Sequence, residues 1–411
     1  MGKPTAQLAG IDIGTSKVTV VIGEPGKDGM PRLLGIGTVP CRGLRKGVLV
    51  DLEAACEALR TAVEEAEEMA GTDIDSAFVS VAGGHIRSVN SRGAVQVSGR
   101  DGEVTAEDVR RVLEAARTVS IPQDREIFHV LPQEYTLDGQ RGIRHPLGMA
   151  GTRLSASVHL VTGSTPTIQN VVTCVNKVGI AVADIVLGQI ASAEAVLSPD
   201  ERELGVLLID IGGGTTDVAV FERDVIWHTS VLPAGGDNFT NDIAVGLRTP
   251  IPDAERIKIQ YGCALPDMVD SDAVVEVPSV GGRRGRMLSR RVLCDILEPR
   301  AEEIFTLVAE DVKHAGYEQT PHAGAVLTGG GSLLEGLTAV AEKALGLPVR
   351  RGVPERVEGL VDVAAHPVHA TAAGLVAFGA RAGTRRRRPA VMPGILNNVG
   401  RRVRDWLGVH F

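Results

Sequence analysis

One turn occurs twice in this chain, and that repetition limits what the chain can fold into. The first copy is Gly10-Ile11-Asp12-Ile13-Gly14-Thr15-Ser16-Lys17, followed by the apolar run Val18 to Ile22. The second is Leu207-Leu208-Ile209-Asp210-Ile211-Gly212-Gly213-Gly214-Thr215-Thr216-Asp217, followed by Val218 to Phe221. Each reads as strand, tight turn, strand: a β-hairpin bent around glycine and threonine. Glycines there let backbone N–H groups converge on one point with no Cβ in the way, which makes a phosphate nest. The aspartate ending the first strand of each unit, Asp12 or Asp210, faces the same point and is placed to hold Mg²⁺ through water. Two copies predict a duplicated fold that clamps one nucleotide from opposite sides.

A third loop points the same way. Ala325-Val326-Leu327-Thr328-Gly329-Gly330-Gly331-Ser332-Leu333-Leu334 reads as an apolar strand, three glycines and then a helix. Such glycines let the backbone pass close to a flat ligand, and a helix N-terminus favours anionic groups. Alone, the glycine run is equally a flexible turn; in this order with the other two loops it completes a nucleotide site.

The three loops together resemble the nucleotide site of the actin, Hsp70 and sugar-kinase superfamily. They match its first phosphate motif, its second phosphate motif and its adenosine motif in turn. Within that superfamily the match narrows to the FtsA family of bacterial cell-division proteins. The stretches His129-Val130-Leu131-Pro132-Gln133-Glu134-Tyr135, Val158-His159-Leu160-Val161-Thr162 and Leu297-Glu298-Pro299-Arg300 are similar to that family's. The resemblance runs from Leu8 to the C-terminal helix. It implies an α/β, actin-like two-lobed ATPase fold built from duplicated RNase H-like lobes, with a small α+β insert in the first lobe and a C-terminal amphipathic helix. The expected division is 1–84 with 163–203 for the first lobe, 85–162 for the insert, and 204–236 with 321–383 for the second lobe. Residues 237–320 are expected as a helical subdomain, 384–394 as a basic linker and 395–411 as the amphipathic helix.

The resemblance also implies roles. Gly14, Thr15 and Ser16 would donate to the β- and γ-phosphates of ATP, and Lys17 would neutralise them; a solvated strand lysine is the plain alternative. Gly212, Gly213, Gly214, Thr215 and Thr216 would close from the other lobe, with Asp217 either capping the turn or facing the metal. Gly235 and Gly236 would approach ribose or phosphate. Glu255 would reach a ribose hydroxyl and Lys258 the base, unless the two form only a surface ion pair at i, i+3. Gly329, Gly330, Gly331 and Ser332 would face the adenosine. Hydrolysis needs a group that orients water; Gln189, in the expected strand-to-helix connection, can do so but is no strong base. Tight ATP binding with slow hydrolysis is therefore expected. Arg300, with Arg291 and Glu303, falls where the family captures the C-terminal tail of the division tubulin FtsZ; an Arg300–Glu303 ion pair is the structural rival.

Local patterns agree with two lobes and an insert. Strands are expected at 8–22 and 31–40, an amphipathic helix at 51–70, and a buried strand at 76–82. The insert reads as βαββ, its helix from 106 capped by Thr105 with Asp108 three residues on. Helices are expected at 165–179, 191–197, 237–247, 252–260 and 289–315, with a hairpin or loop at 271–287.

Composition excludes some classes. Aromatics are 3% of the chain, too few for base-stacking nucleic-acid surfaces. The five cysteines are scattered without a CxxC pair, so buried free thiols are expected. No signal peptide or membrane span is expected. The net charge of −8 hides an asymmetry: from 384 onward seven arginines meet one acid, a tail of +6 that leaves the body at −14. On 395–411, Ile395, Val399, Val403, Trp406 and Leu407 share one helical face with Leu396 flanking, while Arg402 and its basic neighbours lie elsewhere. That pattern suits an anionic membrane surface; docking on the chain's own body is the alternative.

The expected function is an ATP-binding, self-assembling adaptor on the cytoplasmic side of the bacterial cell membrane at midcell. It would anchor FtsZ filaments there and recruit later division proteins through the insert. A PilM-like pilus-assembly adaptor is the alternative. A small-molecule kinase is a weaker one, because no catalytic-aspartate motif appears.

Overall fold

The computed structural model describes residues 7–26, 30–280, 284–317 and 321–386. The first lobe opens on a meander: β1 (Leu8–Ile13) turns into β2 (Lys17–Pro25), and β3 (Pro31–Pro40) returns antiparallel beside it. The small hairpin β4 (Leu44–Arg45) and β5 (Val48–Leu49) leads to α1 (Leu52–Ala70). Asp51 starts α1 by accepting from the N–H groups of Glu53 and Ala54, and Gly71, at φ 68°, ends it. The α1 stripe Ala55, Leu59, Ala62 and Ala66 is buried against the sheet. β6 (Ser76–Val81) then runs parallel to β1.

The insert follows: β7 (Arg87–Gln96), α2 (Ala106–Arg117), β8 (Arg125–Leu137), β9 (Gln140–Ile143) and β10 (Arg153–Ser164), in sheet order β7-β10-β8-β9. The expected βαββ gains the short β9. The Thr105–Asp108 capping box forms as expected. The insert closes its own core, with Val112, Leu113, Leu154 and Val158 buried together.

The chain returns through α3 (Thr165–Lys177), β11 (Ala181–Leu187), α4 (Gly188–Val196) and α5 (Pro199–Leu204). α5 was not expected, although its Ser198–Glu201 capping box was readable. The second lobe begins with β12 (Val206–Ile211), β13 (Thr216–Glu222) and β14 (Val225–Leu232). Its helical part holds α6 (Gly236–Leu247), α7 (Ile251–Tyr261), the hairpin β15 (Val274–Val277) and β16 (Arg286–Ser289), and α8 (Arg290–His314). β17 (Ala325–Thr328), α9 (Leu337–Leu345) and β18 (Val349–Arg351) complete the lobe. β19 (Glu358–Gly359) then pairs with β3, and after α10 (Val361–Ala364) the long α11 (Ala370–Arg386) packs across the first-lobe sheet and α4.

The duplication is visible strand by strand. The first sheet is ordered β11-β6-β1-β2-β3 with β19 added; the second is β18-β17-β12-β13-β14. In both, three antiparallel strands are followed outward by two parallel ones. Asp12 stands opposite Thr19, and Asp210 opposite Asp217. The pseudo-symmetry thus carries one carboxylate more on the second lobe.

α11 meets α4 at very short range. A Cβ on Gly374 would stand 1.8 Å from the Ala191 carbonyl oxygen. α11 also runs to Arg386, into the segment expected as linker from 384, because arginine is a good helix former. The rest of the linker and the segment 395–411, with Ile395, Leu396, Val399, Arg402, Val403, Trp406 and Leu407, lie outside the described residues. Among the described residues no helix is long and apolar enough to cross a membrane, and all five cysteines are buried and free.

The insert also grips the outer strand of the second lobe. His159 Nδ1 donates to Asn90 Oδ1 at 2.7 Å, so its Nε2 accepts from Thr229 Oγ1 at 2.8 Å. Ser88 Oγ donates to the Thr229 carbonyl at 2.7 Å and Gln133 Nε2 to that of Ile226 at 3.0 Å. Asn90 Nδ2 reaches the Trp227 carbonyl at 3.3 Å. Burial holds His159 neutral, its pKa pushed down to about 3, and His129 likewise to about 4. In this range an unfolded chain binds protons that the folded one refuses. Stability from these rings is full above the ordinary histidine value of 6.5 and falls as pH drops towards 4, by about 1.4 kcal/mol per pH unit per ring. The melting temperature is expected to fall between pH 7 and pH 5, and less steeply in His159→Asn; equal slopes would sink the assignment.

Candidate nucleotide site between the lobes

The two repeated turns close in the same way. Gly14 N–H donates to the Lys17 carbonyl and Gly212 N–H to the Thr215 carbonyl, both at 2.9 Å. They face each other across a cleft of about 480 Å³. The approach leaves no room for side chains: a Cβ on Gly213 would lie 3.0 Å from Ser16 Oγ, and one on Gly214 2.9 Å from both Thr15 Oγ1 and the Lys46 Cα. Thr15 Oγ1 accepts from Gly47 N–H at 3.0 Å. Gly236 N–H and Asp237 N–H, at the start of α6, donate to the Gly212 and Gly213 carbonyls at 2.9 and 2.8 Å.

Beneath the turns lies an excess of negative charge. Asp210 and Asp217 are buried and Asp12 is half-buried. Ser80 Oγ donates to Asp12 Oδ1 at 2.6 Å; Ser192 Oγ and Thr371 Oγ1 donate to Asp210 Oδ2 at 2.5 and 3.3 Å. Burial raises the pKa of Asp12 and Asp210, against the pull of these hydroxyls and of Lys17. Burial, with Asp210 and Asp12 nearby, lifts Asp217 well above the carboxylate range. Lys17 is lowered by burial and held up by Asp12 and Asp210. The Lys17 ammonium thus answers Asp12 and Asp210, while Asp217 Oδ1 is buried without a hydrogen-bond partner. This donor set fits a cation. Among the described residues no three acidic, histidine or cysteine side chains converge to grip an ion directly.

Most of the expected residues do meet here. Asp12, Gly14, Thr15, Ser16, Lys17, Asp210, Gly212, Gly213, Thr215, Gly236, Glu255, Lys258, Gly329, Gly330 and Gly331 line the cleft, together with Asp217. Glu255 and Lys258 also pair at 2.7 Å, and Lys258 Nζ reaches the Gly236 carbonyl at 3.0 Å, so the ion pair and the cleft position coexist.

Others are placed differently. Thr216 is fully buried and donates to the Ala234 carbonyl at 2.8 Å; Ser332 is buried and donates to the Gly329 carbonyl at 2.7 Å. Both hold loops rather than face the cleft. Gly214 packs against Thr15 and Lys46 of the first lobe, and Gly235 lies behind the turn against Gly212, Gly213 and Thr215. No α-helix starts at Gly331: a 3₁₀ turn, Gly330–Leu333, intervenes before α9. Gly329 has φ 78°, and a Cβ there would meet Asp210 Oδ1 at 2.2 Å, so close approach to β12 explains the glycine. Gln189 lies in the first turn of α4, not in a connection, and is fully buried. Its Nε2 donates to the Ser230 carbonyl at 3.0 Å, its Oε1 has no partner, and its neighbour Gly188 lines the cleft instead. In the helical part, Arg300 holds Asp242 with two bonds, at 2.6 and 3.0 Å, and also meets Glu303, while exposed Arg291 lies 3.3 Å from Asp267.

Ser80, Ser192 and Thr371 were missed. The two serines interrupt the apolar runs 77–81 and 190–197, a usable signal; Thr371 reaches Asp210 across 161 residues and leaves none.

Comparison with known proteins agrees with this architecture. The family model described as "Cell division protein FtsA" matches residues 207–374, and "SHS2 domain inserted in FTSA" matches 83–162. The Cell division protein FtsA of Pseudomonas aeruginosa is 50% identical over 372 residues, covering 90% of this chain and 89% of its own. Among solved structures, the PilM-PilN type IV pilus biogenesis complex aligns at TM-score 0.67 and 18% identity, over 92% of this chain and 99% of that one. MreB5 of Spiroplasma citri bound to ADP aligns at TM-score 0.53 and 16% identity, over 94% and 100%. The last two show the actin-like fold. With half its residues shared along nine-tenths of its length, and with the insert in place, the chain belongs to the FtsA family of cell-division proteins.

Proposed function

We propose that this cell-division protein binds ATP with Mg²⁺ between its lobes, assembles with copies of itself on the cytoplasmic face of the cell membrane at midcell, and anchors FtsZ filaments there. The observation that carries the nucleotide reading is the pair of facing glycine turns above an uncompensated acid cluster. An ADP-bound relative in fold, MreB5, supports it. When bound, Mg²⁺ neutralises the charge of the β- and γ-phosphates; Asp12 and Asp210 would hold it through water. Backbone N–H groups of 15–16 and 213–215 bind the phosphates, those of Gly14 and Gly212 being used within the turns, and Lys17 offsets their charge. Glu255 and Lys258 orient the nucleoside. Asp217, whose Oδ2 lies beside Gly188, orients water, with Gln189 behind it, an amide that takes up no proton, and hydrolysis is slow.

The helical part supports a partner site: Val245, Ile251 and Met287 are exposed apolar side chains there. The FtsZ tail, acidic and apolar, suits this surface with exposed Arg291 at hand, while Arg300 and Glu303 shape it through Asp242. Residues 395–411 supply the membrane contact.

Co-pelleting with anionic vesicles tests the proposal, using the full chain and a chain ending at 383, each with ATP and with or without an FtsZ tail peptide. The full chain is expected to sediment and carry the peptide; the short chain is expected to lose at least ten-fold in vesicle binding. Equal sedimentation of both would make the tail a docking element and favour a soluble scaffold.

A further inference from the structure

The insert reaches the wall of the nucleotide cleft through a backbone hydrogen bond. Leu187 ends β11 and is the N-cap of α4; the next residue, Gly188, lies in the cleft wall, where a Cβ would stand 3.8 Å from Asp217 Oδ2. The N–H of Leu187 donates to Nε2 of His129, on β8 of the insert, at 3.0 Å. The start of α4 has no side-chain cap of its own, and an N–H buried there without an acceptor is destabilising. Only an unprotonated Nε2 can accept, and burial keeps this imidazole neutral. On the other side of Gly188, Gln189 Nε2 donates to the Ser230 carbonyl of β14. β14 is the strand that the insert grips through His159, Ser88, Asn90 and Gln133. Residues 187–189 are thus held at two points, one on the insert and one on a strand the insert holds.

We infer that His129 is a positioning residue that couples the insert to the nucleotide cleft: by fixing Leu187–Gln189 against Asp217, it makes filling the cleft and shifting the insert parts of one equilibrium. This rests on the reading of the cleft as the ATP site. Coupling of this kind is reciprocal, so a division partner that docks on the insert changes nucleotide affinity by the same factor as nucleotide changes its own.

Hydrogen–deuterium exchange on the full chain, with and without Mg-ATP, tests this in the wild type, His129→Leu and His129→Gln. Leucine fills a similar volume with no acceptor; glutamine returns an acceptor near the place of Nε2. In the wild type, Mg-ATP is expected to slow exchange several-fold in peptides covering 125–137 and 153–164. H129L is expected to lose that response while binding ATP three- to ten-fold more weakly, and H129Q to regain it. A purely structural histidine would weaken the fold in H129L yet leave the response to nucleotide intact, and that result overturns the inference. If Mg-ATP protects 12–17 and 210–217 but never the insert, the coupling is wrong and the nucleotide reading stands. If it protects neither, the nucleotide reading itself fails. Should H129L not fold, the wild-type response decides: an insert blind to ATP refutes the coupling.

Discussion

Gly235→Val is expected to weaken ATP binding more than about 100-fold, some 2.7 kcal/mol, while leaving both lobes folded. Gly235 is extended, at φ −167°, so any residue could adopt its backbone. The objection is steric. A Cβ there would stand 2.7 Å from the Gly212 carbonyl oxygen, 2.8 Å from that of Gly213 and 2.9 Å from the Thr215 nitrogen. All three are backbone atoms of the phosphate turn, so no flexible side chain can give way. Relief requires the turn to move, which breaks the bonds from Gly236 and Asp237 that hold it and disperses the N–H groups aimed at the phosphates. Titration with a fluorescent ATP analogue reads the affinity, and circular dichroism the fold. Gly84→Ala is the control, because a Cβ there meets nothing within 4 Å. Unchanged affinity in Gly235→Val would show that the turn does not bind phosphate.

Gly374→Leu is expected to prevent folding of the first lobe, and Gly374→Ala to lower stability by about 2–3 kcal/mol. A Cβ at this position would lie 1.8 Å from the oxygen and 2.5 Å from the carbon of the Ala191 carbonyl. α4 and α11 must separate to admit it, and both belong to buried layers: Ala191, Ala373, Leu375 and Val376 have no exposure. Close-packed interiors do not absorb such a volume. Because Thr371, one turn earlier on α11, donates to Asp210, displacing α11 also disturbs the acid cluster. Thermal melting checks this; a Gly374→Ala variant melting within about a degree of the wild type would refute the packing.

Local rules made the hairpins, α1 and the capped α2 legible. Asp12-Ile13-Gly14 and Asp210-Ile211-Gly212 each combine an apolar strand with residues that suit a tight turn, and Asp51, Gly71 and Thr105 carry their caps within a few residues. The site was legible to the same extent, because its phosphate turns are local motifs. What stayed hidden is long-range. Thr216 and Ser332 look like ligand donors in sequence, yet nearby carbonyls take their hydroxyls. Arg300 reads as an exposed anchor, yet Asp242, 58 residues away, holds it. The bond between His129 and Leu187 spans 58 residues and two subdomains, and no periodicity or spacing announces it.

The grip on β14 has a consequence for solubility. β14 is the last strand of the second-lobe sheet, and an open last strand is a template on which another chain can add itself. Here the carbonyls of Ile226, Trp227, Thr229 and Ser230 are already taken by side chains of Gln133, Asn90, Ser88 and Gln189. The insert, with Gln189 of α4, thereby acts as a stopper against runaway strand addition at β14.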